Sequence, residues 1–450
     1  MKTTKLIIPT LALGAFSACS SANAAKKELK NTKPNIVFIF ADDWGYGDLS
    51  AHGHKGLTTP NLDKMIAEGT EFTQFNVCSP VSSSSRTAVM TGHFPSRHGV
   101  HAHFATHEYN ARRGMPDWLD PEVTMLPRLL QSAGYKTAHY GKWHLTNSFT
   151  PEAPVPMVYG YDDTRVFNGG GPQIPSLPAP YESAHWTEHS VNSAIDFIKK
   201  NKNEPFFVNL WIHESHQNVD PTPEMMQEFY PDLPEPQRSY YTVISSADKH
   251  IGRFMDFLKE AGLDDNTIVI FSSDNGPETA SKRNNNSIGE TAGLKGRKRS
   301  LYEGGVKVPF IVRMPGVVPS GVVNQTNLIA AVDLLPTFCS MAGVSLPEGY
   351  VGDGEDVSDL FIGKEFEKQK PVLQYWQEKT GGDTWPRLSA KDNKWKLVCN
   401  YNKSRVELYD YKNDWGEENN LADKHPEVVE RLSSLAFEYY NSLDLKNRAK

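Results

Sequence analysis

The sequence has little of what clamps small folds from outside. Its 450 residues hold only four cysteines, Cys19, Cys78, Cys339 and Cys399. If Cys19 leaves with an N-terminal leader, three widely spaced cysteines remain, an odd number that makes neither a disulfide framework nor a thiolate zinc site. The fold therefore rests on its core, with at most one bridge. An excess of one charge is also lacking: 47 Lys and Arg stand against 54 Asp and Glu, a net charge of −7. That excludes the basic footprint of a nucleic-acid binder and the polybasic patch of a membrane-surface protein. A small or carbohydrate substrate fits better than a duplex. Long apolar runs are missing apart from Leu6 to Phe16, which is too short for a permanent membrane span. No internal repeat is visible.

That short run is the first informative presence. Lys2 and Lys5 precede it and small residues follow it up to Ala22-Asn23-Ala24, the pattern of an export signal. Cleavage after Ala24 gives an exported, periplasmic chain. Cleavage before Cys19 gives a lipid-anchored one, but Phe16-Ser17-Ala18-Cys19 is a poor lipidation site, so the first outcome is expected. The expected organisation is a leader over 1–24, a catalytic domain over 25–364 and a C-terminal subdomain over 365–450.

Apolar, β-branched runs recur along the mature chain: "PNIVFIFADD", then Lys136 to His144, Pro205 to His216, Thr267 to Gly276 and Val308 to Gly316. Helical patterns lie between them at Asn61 to Glu68, Val123 to Ala133, Tyr240 to Ala261 and Leu328 to Ala342. This alternation predicts an α/β fold with a large, mostly parallel sheet covered by helices on both faces. From about Glu365 the texture changes to short strands, "VLQYWQ", "RLSAKDNKWKLVCN" and "RVELYDYKND", closed by a helix from Pro426 to Leu443. A smaller antiparallel sheet with one helix on it follows from that pattern. Pro151 to Pro180 and Glu278 to Arg299 read as loops near the site.

In parallel sheets the site forms beyond the carboxyl ends of the strands. Four of these strands end in reactive residues: Asp42-Asp43, Lys142 with His144, His216, and Asp274-Asn275. One such strand end is ordinary; four point to a single site. Asp42, Asp43 and Asp274 with the amide of Asn275 make a hard oxygen set suited to Ca²⁺ or Mg²⁺. Three carboxylates gathered without a cation repel one another. No pair of histidines joins them at ligand spacing, which makes zinc the poorer fit.

"CSPVSSSSRTAVMTG", Cys78 to Gly92, has the form of a loop entering a helix, whose N-terminal amides favour anions. Here the chain resembles the formylglycine-dependent, type I sulfatases of the alkaline phosphatase superfamily. Their signature is Cys or Ser, any residue, then Pro, Ser or Ala, any residue, then Arg, continuing to Thr-Gly. Counting back four from Arg86 lands on Ser82, with Thr91-Gly92 following; Cys78 fails that spacing. "PNIVFIFADDWGYGDLSAHG", "GYKTAHYGKWHL", "FFVNLWIHESHQN", "FSSDNG" and "LKGRKRSLYEGGVKVPFIVRMPG" stand in the family's order over nearly the whole mature chain.

The resemblance implies hydrolysis of sulfate esters at a Cα-formylglycine made from Ser82. It implies a divalent cation at Asp42, Asp43, Asp274 and Asn275, and sulfate handling by Arg86, Lys142, His144, His216 and Lys298. Taken singly, these lysines read as surface charge and these histidines as satisfied strand ends; the ordered set reads as a site. A serine rather than a cysteine implies an anaerobic sulfatase-maturating enzyme as partner. Ser84 stands where many members have proline, and Arg297-Lys298-Arg299 replaces a glycine-flanked lysine, so Lys295 is the alternative sulfate contact.

Val166 to Gln173 and Thr384 to Leu397 resemble segments of N-acetylgalactosamine-6-sulfatase-like members. They suggest 4- or 6-O-sulfated galactose or N-acetylgalactosamine from chondroitin-type or mucin glycans; long loops able to close a pocket suggest, by analogy of fold, action at a chain end. Trp385 is the candidate to stack on a sugar, with hairpin packing as its other reading; Arg387 and His103 are candidates to contact hydroxyls or an acid. Two rivals remain at this point: a metal-dependent phosphatase or phosphodiesterase of the same superfamily, and a sulfoglycan-binding protein without catalysis if Ser82 stays unmodified.

Overall fold

The structure, a computed structural model, describes residues 28–147, 152–167, 183–216, 219–279, 288–377 and 385–445. The expected leader, Cys19, most of the Val166 to Gln173 segment and Thr384 lie outside them. Strand β1 (Asn35–Ala41) is buried along its whole length. Its apolar residues alternate between two cores. Ile36, Phe38 and Phe40 face helices Ser82–Thr91, Leu126–Ser132 and Leu334–Ala342, while Val37, Ile39 and Ala41 face helices Pro60–Glu68, Trp186–Asn201 and Gln237–Glu260. A strand covered on both faces needs no polar residues, which explains its unbroken hydrophobic run.

β1 pairs in parallel with β6 (Phe206–Trp211) on one side and β7 (Thr267–Ser273) on the other. Beyond β6 lie β4 (Lys136–Lys142) and β5 (Asp163–Phe167), both parallel. Beyond β7 come β8 (Phe310–Arg313) and β2 (Thr70–Phe72), paired antiparallel, then β9 (Val322–Asn324) parallel to β2. The order is β5-β4-β6-β1-β7-β8-β2-β9. The expected mostly parallel sheet is present, with its antiparallel pairings confined to one side.

The pattern expected to be one helix over Leu328 to Ala342 divides. Ile329–Ala330 forms β10 and pairs with β3 (Phe75–Asn76), and the α-helix starts at Leu334. Asp333 makes the break: its Oδ2 accepts the Ala330 N–H at 2.7 Å, satisfying a donor that a helix would have used. Helix Trp186–Asn201 is not visible in the sequence pattern, because Thr187, Ser190 and Ala194 on its buried face carry little hydrophobic signal.

The second sheet is antiparallel, in the order β11 (Val372–Tyr375), β12 (Leu388–Lys391), β13 (Lys396–Cys399), β14 (Glu407–Tyr409), with helix Pro426–Ser442 packed on it. A buried ion network joins this sheet to the segment between β7 and β8. Glu303 accepts from Lys396 (2.8 Å) and Lys391 (2.9 Å) and lies 3.3 Å from Lys307; Lys396 also reaches Glu417 at 3.1 Å. Burial alone would raise the Glu303 carboxyl, but Lys391, Lys396 and Lys307 outweigh it and hold it well below the usual range. Burial pushes Lys391 down to about 7.

No helix among the described residues is long and apolar enough to cross a membrane.

Candidate active site

Four neighbouring strands, β4, β6, β1 and β7, deliver their last residues to one place. Asp42 and Asp43 leave β1, Asp274 and Asn275 leave β7, Lys142 closes β4, and the turn after β6 carries His213 and His216. Asp43 and His144 both sit at positive φ, 61° and 53°, which turns the chain sharply off its strand. The Asp43 N–H donates to Asp274 Oδ1 at 3.1 Å, tying β1 to β7. Gly141, with φ 107°, makes the corresponding bend before Lys142. A Cβ there would lie 1.9 Å from the Trp211 carbonyl oxygen. Gly141→Ala is therefore expected to lower the melting temperature and to misplace Lys142, so that kcat drops more than about tenfold, as paired calorimetry and kinetics would show.

The four serines have separate tasks. Ser85 Oγ donates to the Ser79 carbonyl (2.7 Å), Ser84 Oγ to the Ala102 carbonyl (3.3 Å), and Ser83 Oγ accepts the Phe104 N–H (2.9 Å). Ser82, at the first turn of its helix, points to the strand ends. Its Oγ donates to Asp42 Oδ1 at 3.1 Å, contacts Asp274 Oδ2, and accepts from Lys142 Nζ at 2.8 Å. Cys78 is buried in the core, its thiol pushed up to about 12 by burial.

Around Ser82 the charges interlock. Lys142 Nζ donates to Asp42 Oδ2 (2.6 Å), Arg86 Nη2 to Asp274 Oδ2 (2.7 Å), and Lys298 Nζ to Asp43 Oδ2 (2.6 Å). Lys298, not Lys295, stands at the carboxylates; Lys295 instead donates to Tyr409 Oη at 3.0 Å. The Arg86 guanidinium also lies over the Phe40 and Trp211 rings, 5.3 and 4.8 Å from their centroids. His144 donates Nε2–H to the Phe104 carbonyl at 3.1 Å, while its buried Nδ1 has no partner among the described residues. Burial first, then Lys142 and His103, hold this imidazole well below its ordinary pKa.

The acidic set fits a hard divalent cation. Ligand oxygens of Asp42, Asp43 and Asp274 all lie within 4.8 Å of one another. Asn275 donates Nδ2–H to Asp43 Oδ1 at 2.7 Å and leaves its own Oδ1 buried without a partner among the described residues. Burial, reinforced by Asp42 and Asp274 against the opposing Lys298, pushes Asp43 up to about 6. A cation would relieve that repulsion.

The expectation that no histidine pair accompanies the carboxylates is overturned. His213 and His216 both present ring nitrogens to Asp42. His213 Nδ1 bonds Asp42 Oδ2, and His216 Nε2 lies 4.0 Å from Asp43 Oδ2. "HESH" held the signal, since the turn after β6 folds the two rings onto each other, 5.0 Å apart. The sugar-contact candidates separate. His103 lies close enough to His144 to help lower its pKa, whereas Trp385 packs edge-on against Tyr302 at 5.5 Å with Arg405 over its ring, and Arg387 is buried immediately before β12.

The sulfatase family model matches residues 34–344. The chain belongs to the sulfatase family. A second model, N-sulphoglucosamine sulphohydrolase, C-terminal, matches residues 295–438. The chain is 26% identical to the N-acetylgalactosamine-6-O-sulfatase of Bacteroides thetaiotaomicron, covering 97% of this chain and 99% of that relative. It is 31% identical to the N-acetylgalactosamine-6-sulfatase of Canis lupus familiaris over 76% of this chain and 68% of the relative. Among solved structures, Ps i-CgsB in complex with k-i-k-neocarrahexaose superimposes with a TM-score of 0.77 at 26% identity, covering 90% of this chain and 92% of that one. This sulfatase is thus a sulfuric ester hydrolase with the alkaline phosphatase-like fold.

Proposed function

We propose that this sulfatase removes 4- or 6-O-sulfate from galactose or N-acetylgalactosamine residues of glycans, after export to the periplasm. Its nucleophile is formylglycine made from Ser82 by an anaerobic sulfatase-maturating enzyme. Its cation, Ca²⁺ with Mg²⁺ as substitute, is held by Asp42, Asp43, Asp274 and Asn275. Residues 25–364 form the catalytic domain and 365–450 the C-terminal subdomain. The observation that carries this reading is the placement of Ser82 Oγ among Asp42, Asp274 and Lys142 at a helix N-terminus. Relatives named for N-acetylgalactosamine 6-sulfate support the sugar.

A bound cation would supply positive charge for the sulfate group, and formylglycine would supply, as its hydrate, one hydroxyl as nucleophile and a second whose deprotonation re-forms the aldehyde as the bond to sulfate breaks, which plain serine cannot do. Lys142, 2.8 Å from Ser82 Oγ, stabilises negative charge at that position. Arg86 and Lys298 flank it and neutralise charge on the transferring group. The Phe104 carbonyl fixes the proton of His144 on Nε2, so Nδ1 offers a lone pair to take a proton at release. His216 gives a ring proton to the departing sugar oxygen as its imidazolium, the form that burial disfavours and the Asp42 carboxylate favours.

One observation favours a second reading. Asp42, His213 and His216 together resemble the mixed nitrogen and oxygen ligands of a metal-dependent phosphatase, in which serine acts unoxidised.

Peptide mass spectrometry across Phe75 to Arg86, on active protein from an anaerobic host, separates the two. Loss of two hydrogens at Ser82, with turnover of 6-sulfated N-acetylgalactosamine, is the expected result. An unmodified Ser82 in a chain that hydrolyses phosphate esters establishes the second reading, and retained binding without turnover makes it a sulfoglycan-binding protein.

A further inference from the structure

We propose that His213 is a positioning residue for Asp42, fixing the orientation of that carboxylate and thereby the affinity of the site for its cation. The assignment rests on the cation reading above. Asp42 directs Oδ1 toward Ser82 (3.1 Å) and Arg86 (3.9 Å), so its orientation depends on what grips Oδ2. Two groups do: Lys142 Nζ at 2.6 Å and His213 Nδ1. Asp42, Lys142 and His213 arrive from β1, β4 and the turn after β6, and β6 lies between the other two strands. Three adjacent strands thus converge on one oxygen.

The ring of His213 is itself held from several sides. It stacks on Trp186, centroids 4.9 Å apart and planes 12° from parallel, and on His216. Its backbone N–H donates to Glu214 Oε2 at 3.1 Å. The same Glu214 carboxylate accepts from the Thr187 backbone and hydroxyl at the start of helix Trp186–Asn201, which fastens the turn to that helix. In the same turn Ser215 Oγ donates to the Asp42 carbonyl, so side chain and backbone of Asp42 are gripped by one short segment.

An imidazole suits the position for a physical reason. Its flat ring, stacked on Trp186 and His216, points one N–H at Asp42 Oδ2 in a fixed direction, the role that outer hydrogen-bond partners play at metal sites generally.

The test is calcium binding followed by calorimetry on chelator-stripped full-length protein, with Ser82 conversion checked by mass spectrometry in each variant. His213→Ala is expected to weaken calcium about 10- to 100-fold. His213→Asn, whose amide nitrogen falls where Nδ1 stood, is expected to restore most of the loss. Equal affinity in wild type and alanine variant overturns the proposal, and so does an asparagine variant as weak as alanine, since packing alone would then be responsible. If the alanine variant does not fold, Trp186→Leu replaces it: loss of the stack must weaken calcium, and unchanged affinity overturns the role. A wild type that turns over sulfate esters without binding calcium removes the cation reading itself, an outcome distinct from either of these.

Discussion

Ser82→Ala is expected to abolish sulfate ester turnover, lowering kcat/KM by at least about 10⁴-fold, with the fold intact. No neighbouring group can replace it. Ser83, Ser84 and Ser85 each use their hydroxyl in a backbone contact elsewhere, and Cys78 lies in the core with a thiol pushed up to about 12. The fold survives because the charges around the lost hydroxyl keep partners: Lys142 retains Asp42, and Arg86 retains Asp274. Circular dichroism and thermal melting check the fold, and kinetics on a sulfated monosaccharide checks activity. Residual turnover within tenfold of wild type would refute Ser82 as nucleophile. Lys142→Ala is expected to fall between, at about 10²- to 10³-fold, the usual scale for removing one preorganised charge-stabilising donor.

Glu303→Ala is expected to be strongly destabilising, by about 3–5 kcal/mol. Glu303 is in contact with three buried lysines, Lys307, Lys391 and Lys396, and its loss leaves them with Glu417 as the remaining carboxylate of the network. Removing one partner of a buried network strands the others without water, which costs more than the network contributed. The same group sets a pH dependence. Its carboxyl is held well below its ordinary value in the folded chain, so its stabilisation is full above the ordinary carboxylate range and is lost as pH falls toward the folded value. Urea midpoints measured from pH 7 down to about 3 should decline in the wild type. They should decline less steeply in Glu303→Gln, which starts lower.

Strand ends were the most legible part of the sequence, because a buried strand must be apolar until it leaves the sheet. The polar residue that follows is conspicuous: Asp42, Lys142 and Asp274 all stand out this way, and the fold brings them within reach of Ser82. His213 was hidden because it falls in a turn, where polar residues are ordinary, and its contact with Asp42 depends on how far that turn curls back. The three lysines on Glu303 were hidden for the opposite reason. Sequence gives a lysine a strong surface expectation, and only the pairing of β12 with β13 places Lys391 and Lys396 beside the same carboxylate. Trp385 shows the limit from another side, since an aromatic in a hairpin region suits a sugar or a neighbouring ring equally, and here its ring meets Tyr302.

The central position of β1 ties catalysis to amide exchange. Its backbone is hydrogen-bonded on both edges, to β6 and β7, and those same ladders set the spacing between Asp42, Asp274 and the turn carrying His213. Any opening large enough to expose the amides of Ile36 to Phe40 to solvent must also pull the carboxylates apart. Those amides should therefore exchange only through the same global opening that destroys the site, while the short outer strand β9, with Val322 and Val323 exposed, frays freely without touching it.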